Sequence, residues 1–145
     1  MKNILVSLDF DGNEQLLIDK ALVFAKSFKS KLWLIHVAAP DPDFVGYDAG
    51  PQYVREQRAD DLRNEHRLLQ KFSESLEHEG VEAEGLMIQG ATLDMIKKET
   101  IKLNIDMIIA GHNKRNFMYD ILVGSVSENI IKNSDIPVLV VPLNN

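Results

Sequence analysis

At 145 residues, with 45% hydrophobic and 26% charged side chains, the chain has the size and make-up of one globular domain, expected to span residues 1–145. It has no cysteine, which excludes disulfides, thiolate zinc sites and cysteine nucleophiles and points to a reducing, cytoplasmic setting. The balance of 22 acidic against 16 basic residues argues against nucleic acid as a partner, because polyanions need clustered Lys and Arg, but leaves room for a small anionic ligand.

No run approaches the ~18 apolar residues of a membrane span. The first run, Ile4 to Leu8, is too short for a signal peptide and meets Asp9 at once, so no membrane partner is expected. Asp9, Asp11 and Gly12 end that run, which reads as a buried strand entering a turn. Leu16, Leu17, Ala21, Phe24, Ala25 and Phe28 then recur at helical spacing, with Asn13 in the capping position.

Lys31 to Val37 is a second apolar strand, followed by an irregular stretch, Pro40 to Pro51, of the length and composition of a lid or insertion. A long polar helix from about Gln52 to Glu79 carries a narrow stripe of Val54, Leu62, Leu69, Phe72 and Leu76. The seven-residue spacing within it covers too few heptads for a coiled coil, so one face lying on a sheet is expected. Val81 to Ile88 is a third strand, and Thr92 caps a helix whose inner face reads Leu93, Ile96, Ile101 and Leu103. Ile105 to Ala110 is a fourth strand, hydrophobic throughout as strands covered on both faces are. A helix from Ser125 to about Lys132 leads to the fifth strand, Pro137 to Val141, whose flanking prolines suit an edge.

Strands alternating with helices five times predict an α/β fold: a five-stranded parallel, Rossmann-like open sheet with helices on both faces and right-handed crossovers. In such sheets ligands bind outside the carboxyl ends of the strands, where the strand order reverses. With order 3-2-1-4-5 the reversal lies between strands one and four, so Asp9, the end of strand two near Val37, and the loops at Gly111 and Gly124-Ser125 should surround one cleft. Gly124-Ser125 before a helix is a plausible phosphate seat, since helix N-termini present unpaired N–H groups and glycine admits close approach. Ser125 with Glu128 is equally a capping box, and the spacing alone leaves both readings open.

These residues resemble the universal stress protein family over essentially the whole chain: ILVSLDF, KLWLIHV, QGA before the third helix, DMIIAGH, and the closing GSVSENIIKNSDIPVLVVPL. The family pattern Gly-x2-Gly-x9-Gly-Ser/Thr reads here as Gly111, His112, Asn113, Lys114, nine residues, Gly124 and Ser125, so Lys114 stands at the second glycine. The resemblance implies ATP or a related adenine nucleotide, alone or with Mg2+. Its adenine would lie near Asp9 and Val37, with Ser7, Leu8 and Ala110 at the same strand ends. Its ribose and phosphates would run along Gly111, Asn113, Gly124, Ser125, Val126 and Ser127. Lys114 either obstructs the phosphates or, beside Arg115, supplies positive charge. The resemblance also implies a homodimer through the edge strand Val138–Leu143 and a regulatory role in stress response or adaptation, with little or no turnover.

Two other functions compete. One is a dimeric stress or adaptor protein that no longer takes nucleotide and works through protein partners. The other is a haloacid-dehalogenase-type phosphatase, suggested by Asp9-Phe10-Asp11-Gly12, but Asn13 replaces the usual threonine and no later strand ends in an acidic pair. The four histidines show no metal-ligand spacing, and Trp33 and Tyr53 read as packing residues. No general base with clear geometry is visible, so no catalytic residue is assigned.

Overall fold

The computed structural model describes residues 1–10, 12–38, 52–113 and 126–143. Along them run β1 (Asn3–Ser7), α1 (Glu14–Phe28), β2 (Lys31–Ala38), α2 (Gln52–His78), β3 (Ala83–Gln89), α3 (Thr92–Lys102), β4 (Met107–Asn113), α4 (Val126–Asn133) and β5 (Val138–Leu143). The strands form one parallel sheet in the order β3-β2-β1-β4-β5, as the sequence predicts.

Side-chain alternation divides the hydrophobic interior between the two faces. Ile4, Val6, Leu34 and Ile109 pack with Leu17, Ala21 and Ala25 of α1 and Leu69 and Leu76 of α2. Leu5, Ile35 and Ile108 point the other way and meet Ile96 of α3 and Ile130 of α4. Strands buried on both faces have no polar side to alternate with, which is why β1 and β4 read as continuous apolar runs. Burying a single such side chain contributes about 1.5–3 kcal/mol.

Several local expectations need correcting. Gly111 does not end the fourth strand: β4 continues through it to Asn113, with Gly111 paired to Val141. The buried stripes of α1 and α3 stop short of the helix ends. Ile101 of α3 is 79% exposed and Phe28 of α1 is 51% exposed, because both lie at helix ends beyond the edge of the sheet contact. Tyr53 is not a packing residue either; it stands 73% exposed at the start of α2. Asn13 occupies the N-cap position of α1 without a capping bond from its side chain, and just before it the Gly12 N–H donates to Glu14 Oε1 at 2.9 Å. Thr92 is the first helical residue of α3, with Ala91 at its cap.

Candidate functional site

Three backbone features bring the expected residues to one end of the sheet. Ser7, the last residue of β1, pairs with Ile35 on one side and Ala110 on the other. The Leu8 N–H continues the β2 ladder by donating to the Ile35 carbonyl at 2.9 Å. The chain then leaves the sheet through Phe10, whose φ of 56° turns it toward α1. Asp9 is thereby exposed at the carboxyl end of the central strand, beside Gly111 of β4. Ser7, Leu8, Asp9, Gly111 and Leu143 share the lining of a crevice of about 10 Å³, closed from the α1 side by Asn13 and Leu17. Val37 stands one strand away, half-buried and in register with Ile88.

Of the remaining predicted site residues, Asn113 closes β4 opposite Leu143, and Val126 and Ser127 open α4. Lys114, Gly124 and Ser125 lie outside the described residues, as do Asp11 and the Pro40 to Pro51 stretch. Gly111 is placed by packing. A Cβ there would lie 2.5 Å from Leu143 Cδ1, so the missing side chain makes room for the last residue of β5.

Sequence reasoning passed over one polar contact at this end. His36, buried at 8% exposure on β2, has Nδ1 2.7 Å from the Leu8 carbonyl and Nε2 3.0 Å from Glu65 Oε2 of α2. A carbonyl only accepts, so the Nδ1–H donates to Leu8, which leaves Nε2 facing the Glu65 carboxylate. The ring also lies against Phe10, with centroids 4.6 Å apart at 55°. Nothing in the spacing of His36 and Glu65 announces the pair, because a helix and a strand 29 positions apart meet only once the sheet is built.

The ionic groups with shifted titration lie elsewhere. At the opposite end of the sheet the Lys2 and Asn3 N–H groups donate to Asp106 Oδ2 at 2.7 and 2.9 Å, and the Asn3 bond first, then that of Lys2, holds this carboxyl below its usual range. Burial pulls the Lys31 ammonium down, but hydrogen bonds and charge from Glu84 and Glu82 outweigh it and leave the group raised. A cavity of about 470 Å³ among the described residues is also remote from Asp9. It opens between α3 and α4 near Ile105, ahead of β4, and its walls are chiefly hydrocarbon from Ile96, Ile101, Ile108, Ile130 and Ile136. Size alone would favour it, but the convergence of strand ends and polar groups at the reversal between β1 and β4 is the stronger indicator of a polar ligand.

Comparison with known proteins agrees with that placement of the fold. A curated universal stress protein of Methanocaldococcus jannaschii is 33% identical over 122 residues, covering 83% of this chain and 70% of the relative. The solved universal stress protein UspA from Lactobacillus plantarum superposes with a TM-score of 0.79 at 18% identity, covering 97% of each chain. A universal stress protein family structure from Arabidopsis thaliana, described with AMP bound, gives a TM-score of 0.70 at 20% identity over 99% of this chain and 93% of that one. At such identities the two structures speak for the fold. The sequence model of the universal stress protein family matches residues 1–142, and with this match the chain belongs to that family.

Proposed function

We propose that this chain binds an adenine nucleotide, ATP or a close relative with or without Mg2+, at the carboxyl ends of β1 and β4, and serves as a nucleotide-regulated module in stress response. The observation that carries the reading is the juxtaposition of Ser7, Leu8 and Asp9 with Gly111 at the point where the strand order reverses. Asp9 would accept hydrogen bonds from the base or ribose, and Val37 would supply apolar contact to the base. The segment from Lys114 to Ser125 and the start of α4 at Val126 and Ser127 would receive the phosphates. The AMP in the Arabidopsis relative supports an adenine nucleotide as the ligand class. A homodimer is part of the same reading: among the described residues β5 is the sheet edge next to β4, and a second copy would pair along its outer side.

Calorimetric titration of nucleotide-stripped protein with Mg-ATP and with AMP, repeated on Gly124→Val, tests it. Micromolar binding that the variant loses supports the site; no heat at millimolar nucleotide rejects it. A second reading, an adaptor without nucleotide, is favoured by the narrowness of the crevice among the described residues, about 10 Å³, and by the use of Gly111 to seat Leu143.

A further inference from the structure

We propose that His36 is a positioning residue for the candidate nucleotide site, holding Asp9 in place from both sides, and that Glu65 fixes the ring that does so. The inference rests on the adenine-nucleotide reading of that site.

The geometry is a bracket around one residue. Asp9 sits in the turn after β1, exposed, and gains no rigidity from burial. The residue before it, Leu8, gives its carbonyl to His36 Nδ1 at 2.7 Å, and the residue after it, Phe10, lays its ring on the imidazole at 4.6 Å. Phe10 also holds a positive φ of 56°, a backbone state that side chains rarely adopt without support from their surroundings. One side chain from β2 thus grips both neighbours of the carboxylate expected to meet the ligand.

An imidazole can rotate about its own bonds, and the Nε2 contact to Glu65 at 3.0 Å prevents this. With one nitrogen committed to a carbonyl and the other to a carboxylate, the ring has a single satisfied orientation. His36 is buried, so replacing Glu65 takes from Nε2 the partner it has, whereas Glu65, 28% exposed, can turn to water when His36 is replaced. The side chain that carries the bracket therefore also ties α2 to the ligand end of the sheet. Its register neighbour on β3, Met87, adds no charge.

Side-chain geometry supplies the test. An asparagine amide nitrogen occupies nearly the place of Nδ1, so His36→Asn can keep the Leu8 bond, while His36→Leu fills the space and keeps none. The experiment records amide spectra of 15N-labelled wild type, His36→Asn, His36→Leu and Glu65→Gln, with melting temperatures, and titrates each with AMP and Mg-ATP. His36→Leu is expected to shift the Asp9 and Phe10 resonances and to weaken nucleotide at least tenfold, with His36→Asn recovering the share carried by the Leu8 bond. Glu65→Gln, the milder change should His36→Leu fail to fold, is expected to broaden those same resonances and weaken binding several-fold. Unmoved Asp9 and Phe10 resonances, or an Asn variant no better than Leu, overturn the proposal. A wild type that takes no nucleotide removes the ligand reading, and the Asp9 and Phe10 resonances then decide the bracket by themselves.

Discussion

Gly111 and Leu143 occupy each other's space: a Cβ on the glycine would fall 2.5 Å from Leu143 Cδ1 and 3.1 Å from its Cγ. The glycine's φ is not in the positive region, so the demand is for volume and not for backbone freedom. Gly111→Ala should therefore cost about 1–2 kcal/mol by overpacking, with the leucine giving way at the far end of a flexible chain. Leu143→Ala should cost more by itself, about 2–4 kcal/mol, since Leu143 is buried at 5% exposure. The double variant should fall short of the sum by more than 0.5 kcal/mol, because each change relieves the other. Urea denaturation of the four proteins measures this, and strict additivity would refute the contact.

A second close approach sets how α2 lies on the sheet. A Cβ on Gly85 of β3 would meet Leu69 Cβ and Ser73 Oγ at 3.1 Å and the Leu69 carbonyl at 3.3 Å. Here two of the three neighbours are near the helix backbone and cannot swing aside, while Ser73 Oγ is tied to that same Leu69 carbonyl at 2.8 Å. Gly85→Val should cost about 2–3 kcal/mol, more than Gly111→Ala, although Gly85 needs no unusual φ. Equal midpoints for Gly85→Val and wild type would show that α2 is free to ride outward.

The sheet could be read from the sequence because its information is local and periodic. Runs such as Ile4 to Leu8 and Met107 to Ala110 have no polar alternation, and only strands covered on both faces allow that. The crossover rules fix handedness and not order, so a central first strand is a supposition of the sequence reading that the sheet bears out. What escaped notice depended on contacts between distant segments. Local sequence marks Gly111 as a loop glycine, whereas its space is taken by Leu143, and marks His36 as an ordinary strand-end histidine, whereas α2 brings Glu65 against it. Ile101 satisfied the helical spacing but lies past the edge of what α3 covers, which no single-helix pattern reveals.

Asp106 predicts a pH dependence. Its carboxylate ties the entry of β1 to the entry of β4 through the Lys2 and Asn3 N–H groups, and its own N–H returns to the Asn3 carbonyl at 2.8 Å. Because the folded state depresses its pKa, the associated stability is fully present above the unfolded value and is lost as pH falls through the folded one. Asp106→Asn should therefore lower the melting temperature at neutral pH and narrow the gap to wild type below about pH 4. The effect should be small, since the group is exposed and solvent screens it. A gap that widens toward acid would contradict the assignment.

Lys114 decides between the two functional readings. If its ammonium meets phosphate, Lys114→Gly weakens Mg-ATP more than AMP, since the charge acts on the longer phosphate chain. If the side chain blocks the approach, the same change strengthens both. Calorimetry with the two nucleotides separates these outcomes, and identical affinities before and after would remove Lys114 from the site.

The edge of the sheet carries the last prediction. Val138 and Leu139 pack inward onto opposite faces, and Val140 follows at intermediate burial on an edge strand whose inner side is paired to β4. The outer side has backbone groups to pair, and a lysine on an edge strand is a natural means of preventing that pairing. On the proposed pairing through β5, Val140→Lys should shift the chain from dimer to monomer in sedimentation velocity at micromolar concentration. An equivalent charge on the remote helix surface, Ile101→Lys, should leave the dimer intact. Because Val140 is half-buried, the variant will also lose about 1–2 kcal/mol of monomer stability, so the comparison must be made well below its melting temperature. If Ile101→Lys dissociates the dimer and Val140→Lys does not, the interface lies on α3, beside the apolar cavity, and β5 is an edge kept closed by its own prolines.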